Sequence, residues 1–169
     1  MFKKKYLKEV IYWVSIFIIS SSMFIYGLSK PTQFENTGNF ANISTLSGQQ
    51  LMWIFYGYSK TYPIIIGLFE ILGALTILFR KTRIFGCLIL TTILINIIIQ
   101  DYIFNIVALS SAIYYQILII IILIFDYSEV KKIMKSLFSS AGKSKINIFV
   151  IVIALIIALI LKFYETKII

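Results

Sequence analysis

Residues 63–79 read PIIIGLFEILGALTILF, an apolar run that holds one ionisable side chain, Glu70. A membrane-spanning helix needs ~20 predominantly apolar residues, with a range of about 17–25. This run crosses a bilayer once it borrows the flanking Tyr62. Four further runs lie at roughly 10–28, 84–100, 103–125 and 146–161. The first and fourth of the five are long enough alone. The third borrows Asp101 or Tyr102, and the last borrows Lys162 to Tyr164. Five transmembrane helices are predicted.

Composition points the same way. Of 169 residues, 60% are hydrophobic and only 14% charged, and mean hydropathy is +0.94. Soluble domains sit nearer ~45–50% apolar and ~25% charged, so a water-soluble globule is excluded. Disorder is excluded too, because so apolar a chain cannot stay solvated. There is no His and one Cys, Cys87. That removes His-dependent catalysis, haem ligation by His, CxxC redox pairs and any intramolecular disulfide. Cys87, in an apolar run beside Gly86, reads as a small packing residue.

The formal charge of +9 raises nucleic-acid binding, but its distribution argues against it. The basic residues fall between the apolar runs. With the N-terminus inside, twelve of the 16 Lys and Arg residues lie inside and four outside, which follows the positive-inside rule. The expected topology is N-terminus inside and C-terminus outside, multi-pass, in a bacterial cytoplasmic (inner) membrane. The first run also resembles a secretory signal, with Ser20, Ser21 and Ser22 after its apolar stretch. Apolar character resumes at Met23, so a retained helix is expected.

Three regions are expected: a four-helix membrane core over 1–125, a basic cytoplasmic loop over 126–145 with an amphipathic turn or helix, and a fifth membrane helix with tail over 146–169. Between the first two spans, residues 31–47 are polar and read as loop. Gln49 to Tyr58 carries Trp53, Phe55, Tyr56 and Tyr58, which suits a short helix at the outer interface. A partly re-entrant helix is the alternative.

Polar residues inside the spans narrow the arrangement, because an unpartnered polar group in hydrocarbon costs several kcal/mol. Ser15, Ser22, Tyr26 and Lys30 share one face of the first helix. Gly67, Glu70 and Ala74 share a face of the second, beside Gly73. Thr92, Asn96 and Gln100 recur every four residues in the third. Asn105, Ala112 and Gln116 line the fourth. The fifth run has no such stripe. A bundle of four helices with the stripes inward and the fifth helix outside is the economical solution. Glu70 is the candidate site residue, since an intramembrane carboxyl is a functional hypothesis by default. A purely structural polar network is the other reading. Lys30, Tyr26 and Asn96 are its expected neighbours inside the bundle. Asp101, at the end of its run, reads as solvated.

Several of these stretches resemble the DoxX-like family of small bacterial membrane proteins. Tyr26-Gly27-Leu28-Ser29-Lys30 with Gln33-Phe34 is similar to that family's Gly-x-x-Lys end of the first helix. Gly57 to Pro63 with Gly67 to Ala74, and Leu78 to Gly86 leading to Asn96, extend the likeness over residues 20–105. Gln100 to Asn105 departs from the family's Asn-Phe-x-Tyr-Asp-like stretch. The resemblance implies a four-helix core. It also implies a range of roles, from small subunits of a thiosulfate:quinone oxidoreductase to assembly of other membrane proteins.

The expected function is that of an accessory or quinone-associated subunit of a membrane oxidoreductase complex. No cofactor is built in, and a quinone is the candidate ligand. The expected partners are the lipid bilayer and other membrane subunits, without nucleic acid. A scaffold or assembly factor is the alternative, with a small proton-coupled transporter behind it. Whether the chain catalyses anything stays open at this point.

Overall fold

The computed structural model describes residues 2–35, 45–139 and 147–165, with side chains from 6 to 35, 45 to 139 and 147 to 164. The parts of the polar loop at 36–44 and of the basic stretch at 140–146 lie outside the described residues. Among the described residues there are seven helices and no strand. They are α1 (Phe2–Gln33), α2 (Gly48–Gly57), α3 (Thr61–Leu78), α4 (Arg83–Ile103), α5 (Leu109–Phe125), α6 (Tyr127–Phe138) and α7 (Ile148–Glu165). Three stretches, Tyr6–Gln33, Thr61–Leu78 and Arg83–Ile103, are long and apolar enough to cross a membrane. A fourth joins them if α5 and its bent continuation α6 count as one span. These helices fit a multi-pass membrane protein.

The chain divides into two compact units, 1–131 and 132–169. In the first, α1 packs against α3 and α5, and α4 packs against the same two helices, closing a ring. Ile16, Ile19 and Met23 of α1 meet Ala74 and Ile77 of α3, Leu90 and Leu94 of α4, and Ile119 and Ile122 of α5 in one buried cluster. Cys87 belongs to the same cluster, as its apolar setting predicts. Gly67, Glu70, Gly73 and Ala74 are buried, while Ile65, Leu72 and Phe79 on the other side of α3 are exposed. That division matches the stripe read in the sequence. The second unit contains the end of α6 and α7, whose sequence is apolar on every side.

Lipid is as apolar as leucine, so helices in a membrane associate through close packing and hydrogen bonds. Both devices join α1 to α3. A Cβ placed on Gly67 would lie 2.5 Å from the Gly27 carbonyl oxygen, and one on Gly27 would lie 2.6 Å from the Gly67 carbonyl oxygen. Only hydrogen fits in either position. Pro31 lies within α1 and has no N–H to donate to the carbonyl four residues back, which is that of Gly27. The carbonyl left free is the one that faces Gly67. About two turns further along, the Ser20 hydroxyl donates to the Ala74 carbonyl at 2.8 Å.

At the opposite end of the ring Arg83 forms a clasp. Its Nε donates to the Ile77 carbonyl at 2.8 Å and its Nη2 to the Leu78 carbonyl at 3.0 Å. These belong to the carbonyls that a helix C-terminus leaves without partners. Nη1 donates to the Tyr12 hydroxyl. Tyr12 in turn donates to the Asp126 carboxylate, with Oδ2 at 2.7 Å. The guanidinium also lies 5.2 Å from the ring centres of both Tyr12 and Trp13. Arg83 counts in the sequence as an orientation charge, yet it is only 2% exposed.

Two features of the fourth span differ from expectation. The helix begins at Leu109 instead of 103, because residues 104–108 form a turn. Asn105 adopts a positive φ of 53°, a conformation that asparagine tolerates better than most residues. Asn105 is therefore exposed in the turn and shares no helical face with Ala112 and Gln116. The Ile106 N–H bonds the Asp101 carbonyl at 2.9 Å and closes the turn.

Candidate functional site

Where α1, α3, α4 and α5 diverge toward α2, they enclose a cavity of about 320 Å³. Lys30 of α1 and Glu70 of α3 meet at its wall, with Nζ 3.5 Å from Oε1. The Gly27–Gly67 contact lies one turn away and brings the two helices near enough for this pair. Glu70 is 1% exposed. Lys30 also donates to Gln33 Oε1 at 3.2 Å and stands 5.9 Å above the Phe34 ring. Its aliphatic stem lies along Gly67, with Cβ and Cγ each 3.0 Å from where a Cβ would be.

All four residues expected from the sequence, Glu70, Lys30, Tyr26 and Asn96, line this cavity. Their settings differ. Lys30 and Glu70 are in contact. Tyr26 is largely exposed, with its ring 6.0 Å from that of Tyr115 in an edge-on arrangement. Asn96 is also exposed and sits at the rim with Thr92.

Asp101 corrects the sequence reading most directly. It is 2% exposed, not solvated, and it lines the same cavity. The cause is α2, which covers this end of α4. A Cβ on Gly48 would lie 2.4 Å from the Phe104 carbonyl oxygen, so the N-terminus of α2 rests on the C-terminal end of α4. Ser47 and Gln50 form a reciprocal capping box that fixes where α2 starts. Near its other end, the Tyr56 hydroxyl donates to Gln100 Oε1 at 2.6 Å. Burial raises the Tyr56 pKa above its ordinary value of 10.0.

The Tyr56 ring stacks between Phe34, at 4.9 Å, and Tyr62, at 5.5 Å. Trp53 meets Phe34 edge-on at 5.2 Å. The result is an aromatic wall over a charged end. Trp53 and Tyr56 thus belong to the mouth of the cavity, as their clustering before Pro63 suggests. Tyr58 does not, being 92% exposed. Two carboxylate oxygens in the cavity wall, Glu70 Oε2 and Asp101 Oδ2, have no hydrogen-bond partner. Among the described residues no group of three or more His, Cys, Asp or Glu side chains is placed to hold a metal ion.

The chain is similar to a Bacillus protein. It is 33% identical over 90 residues to the uncharacterized protein YwoB of Bacillus subtilis (strain 168). The match takes in 52% of this chain and 58% of YwoB, so little more than half of that relative's length is spanned. No protein-family profile matches the chain, and no solved structure does. The cavity geometry therefore carries the functional argument.

Signals for the missed residues were faint. Asp101 ends an apolar run, where an acidic residue ordinarily meets water. Gln100 shares its stripe with Asn96, but nothing nearby in sequence announces Tyr56 as its partner across 44 positions.

Proposed function

We propose that the protein is a DoxX-like membrane protein whose helical bundle holds a quinone-type ligand as an accessory subunit of a membrane oxidoreductase complex. The carrying observation is the buried Lys30–Glu70 pair at one end of an aromatic-walled cavity of about 320 Å³. Ligand pockets commonly measure ~300–1,000 Å³ and combine apolar walls with a few placed polar groups. A planar ring packs against the aromatic wall of Phe34, Trp53 and Tyr56, while its polar substituents meet Lys30, Glu70 and Asp101. A bound quinone supplies two-electron chemistry that the side chains lack. The chain's own part is to bind and orient the ring and to exclude water from it.

Purification in mild detergent, followed by lipid extraction of the same sample, tests this reading. The expected result is a co-purifying quinone that is lost from Glu70→Gln while helix content is retained. A stoichiometric protein partner without any quinone would favour the scaffold reading instead. The outward face of α2, with Phe55 and Tyr58 exposed, is the observation that favours such a partner.

The same proposal places the protein in a bacterial cytoplasmic membrane as five spans, with α7 as the fifth and the basic stretch around α6 on the cytoplasmic side. The excess of twelve basic residues over four supports that orientation. Reporter fusions after Lys167 are expected to be active only outside the cytoplasm. Activity confined to the cytoplasm would remove α7 from the set of spans.

A further inference from the structure

Two carboxyl oxygens in the cavity wall lack hydrogen-bond donors. Glu70 and Asp101 are both almost wholly buried, and each has one carboxylate oxygen without a partner. Among the described residues Lys30 is the one cation in the cavity wall. Two of its three N–H donors already serve Glu70 and Gln33. The Tyr56 hydroxyl gives its proton to Gln100. Among the described residues no cation forms an ion pair with Asp101. Buried acceptors without donors are costly, so these two oxygens describe what an occupant has to bring.

From this geometry we infer that the cavity binds its ligand through the ligand's own hydroxyl donors, so that of a quinone and its hydroquinone it holds the hydroquinone. The inference rests on the quinone reading above and specifies the form in which the ring is bound. A quinone offers two carbonyl acceptors, and an acceptor cannot satisfy either of these oxygens. The hydroquinone offers two O–H groups on the same ring skeleton. A hydrogen bond to an ionised acceptor, such as the Lys30-paired Glu70 carboxylate, is roughly twice as strong as one between neutral groups. A cationic amine would also satisfy the carboxylates, but the Lys30 ammonium stands at the same end. Two like charges in a poorly screened cavity repel strongly. A neutral donor avoids that repulsion.

The experiment is calorimetric titration of the full-length protein in lipid nanodiscs under anaerobic conditions, with protein-free discs as the blank. Three probes share one ring: a short-chain benzoquinone, its hydroquinone and the dimethyl ether of that hydroquinone. The ether keeps the electron-rich ring and removes both donors. The hydroquinone is expected to bind at least about tenfold more tightly than either other probe. In Asp101→Asn, whose amide supplies a donor of its own, that ratio is expected to shrink.

Equal or tighter binding of the benzoquinone would overturn the inference and leave the quinone site standing. So would an ether that binds as well as the hydroquinone, or a ratio unchanged in a folded Asp101→Asn. Failure of all three probes to bind would remove the quinone reading and this inference together.

Discussion

Lys30→Met is expected to destabilise the protein by about 3–5 kcal/mol, the usual cost of removing one partner from a buried ion pair. Its partner Glu70 sits 1% exposed, 3.5 Å from the ammonium, and among the described residues no other basic residue lines the cavity. Without Lys30 the carboxyl must take up a proton or remain charged in an apolar bundle, and either state costs free energy. Adding Glu70→Leu to Lys30→Met removes the stranded acid and is expected to restore most of the loss. Glu70→Leu alone should be milder than Lys30→Met. The lysine head is 12% exposed, and a long flexible stem lets it move toward water. Unfolding of the four proteins in mild detergent completes the cycle. A double variant as unstable as Lys30→Met would show that the pair is not what couples these two positions.

Gly67→Ala is the second substitution with a large expected effect. Its Cβ would stand 2.5 Å from the Gly27 carbonyl oxygen, which is backbone and cannot turn aside. Ordinary contact requires the helices to separate by about 1 Å, and overpacking of this kind costs roughly 1–3 kcal/mol. The separation also draws Lys30 away from Glu70, so ligand retention should fall together with stability. Gly73→Ala is the matched comparison. There the new methyl meets Leu90 Cδ2 at 2.5 Å and Cγ at 2.6 Å, side-chain atoms that can shift about χ1 where a backbone carbonyl cannot. Its expected cost is smaller, and the cavity should keep its ligand. Thermal unfolding and extracted ligand, measured on both variants, check this. Equal losses at the two positions would rule out a special role for the Gly27–Gly67 contact.

Much of the ring of helices was legible because membrane spans carry their own signal. The runs at 63–79 and 84–100 became α3 and α4 within a few residues. Glu70 and Lys30 were also legible, one as a lone acid in an apolar run and the other as the end of a polar stripe. What escaped depends on contacts distant in the chain. Asp101 is buried because α2 folds over it, and α2 is seated by Gly48 against Phe104 and by Tyr56 on Gln100. Nothing near position 101 records that cover. The break at 104–108 was hidden in apolar sequence, where Ile103, Phe104, Ile106 and Val107 conceal a turn made by the backbone of Asn105. Arg83 escaped because its charge counts equally for topology whether the side chain faces water or caps α3.

The Arg83 clasp ties the helix ring together at the end opposite the cavity. One guanidinium holds two carbonyls of α3, the hydroxyl of α1 and, through it, the carboxylate after α5. Helices pinned at one end behave as rods on a common base, and lateral displacement grows with distance from the pin. From Ile77 to Glu70 is seven residues, about 10 Å of leverage along α3. Small rotations at the base would be magnified toward the cavity, where the Gly27–Gly67 contact and the Lys30–Glu70 pair are what hold α1 and α3 together. A ligand of the cavity, on the reading proposed above, is expected to pass by the α2 end, away from the clasp.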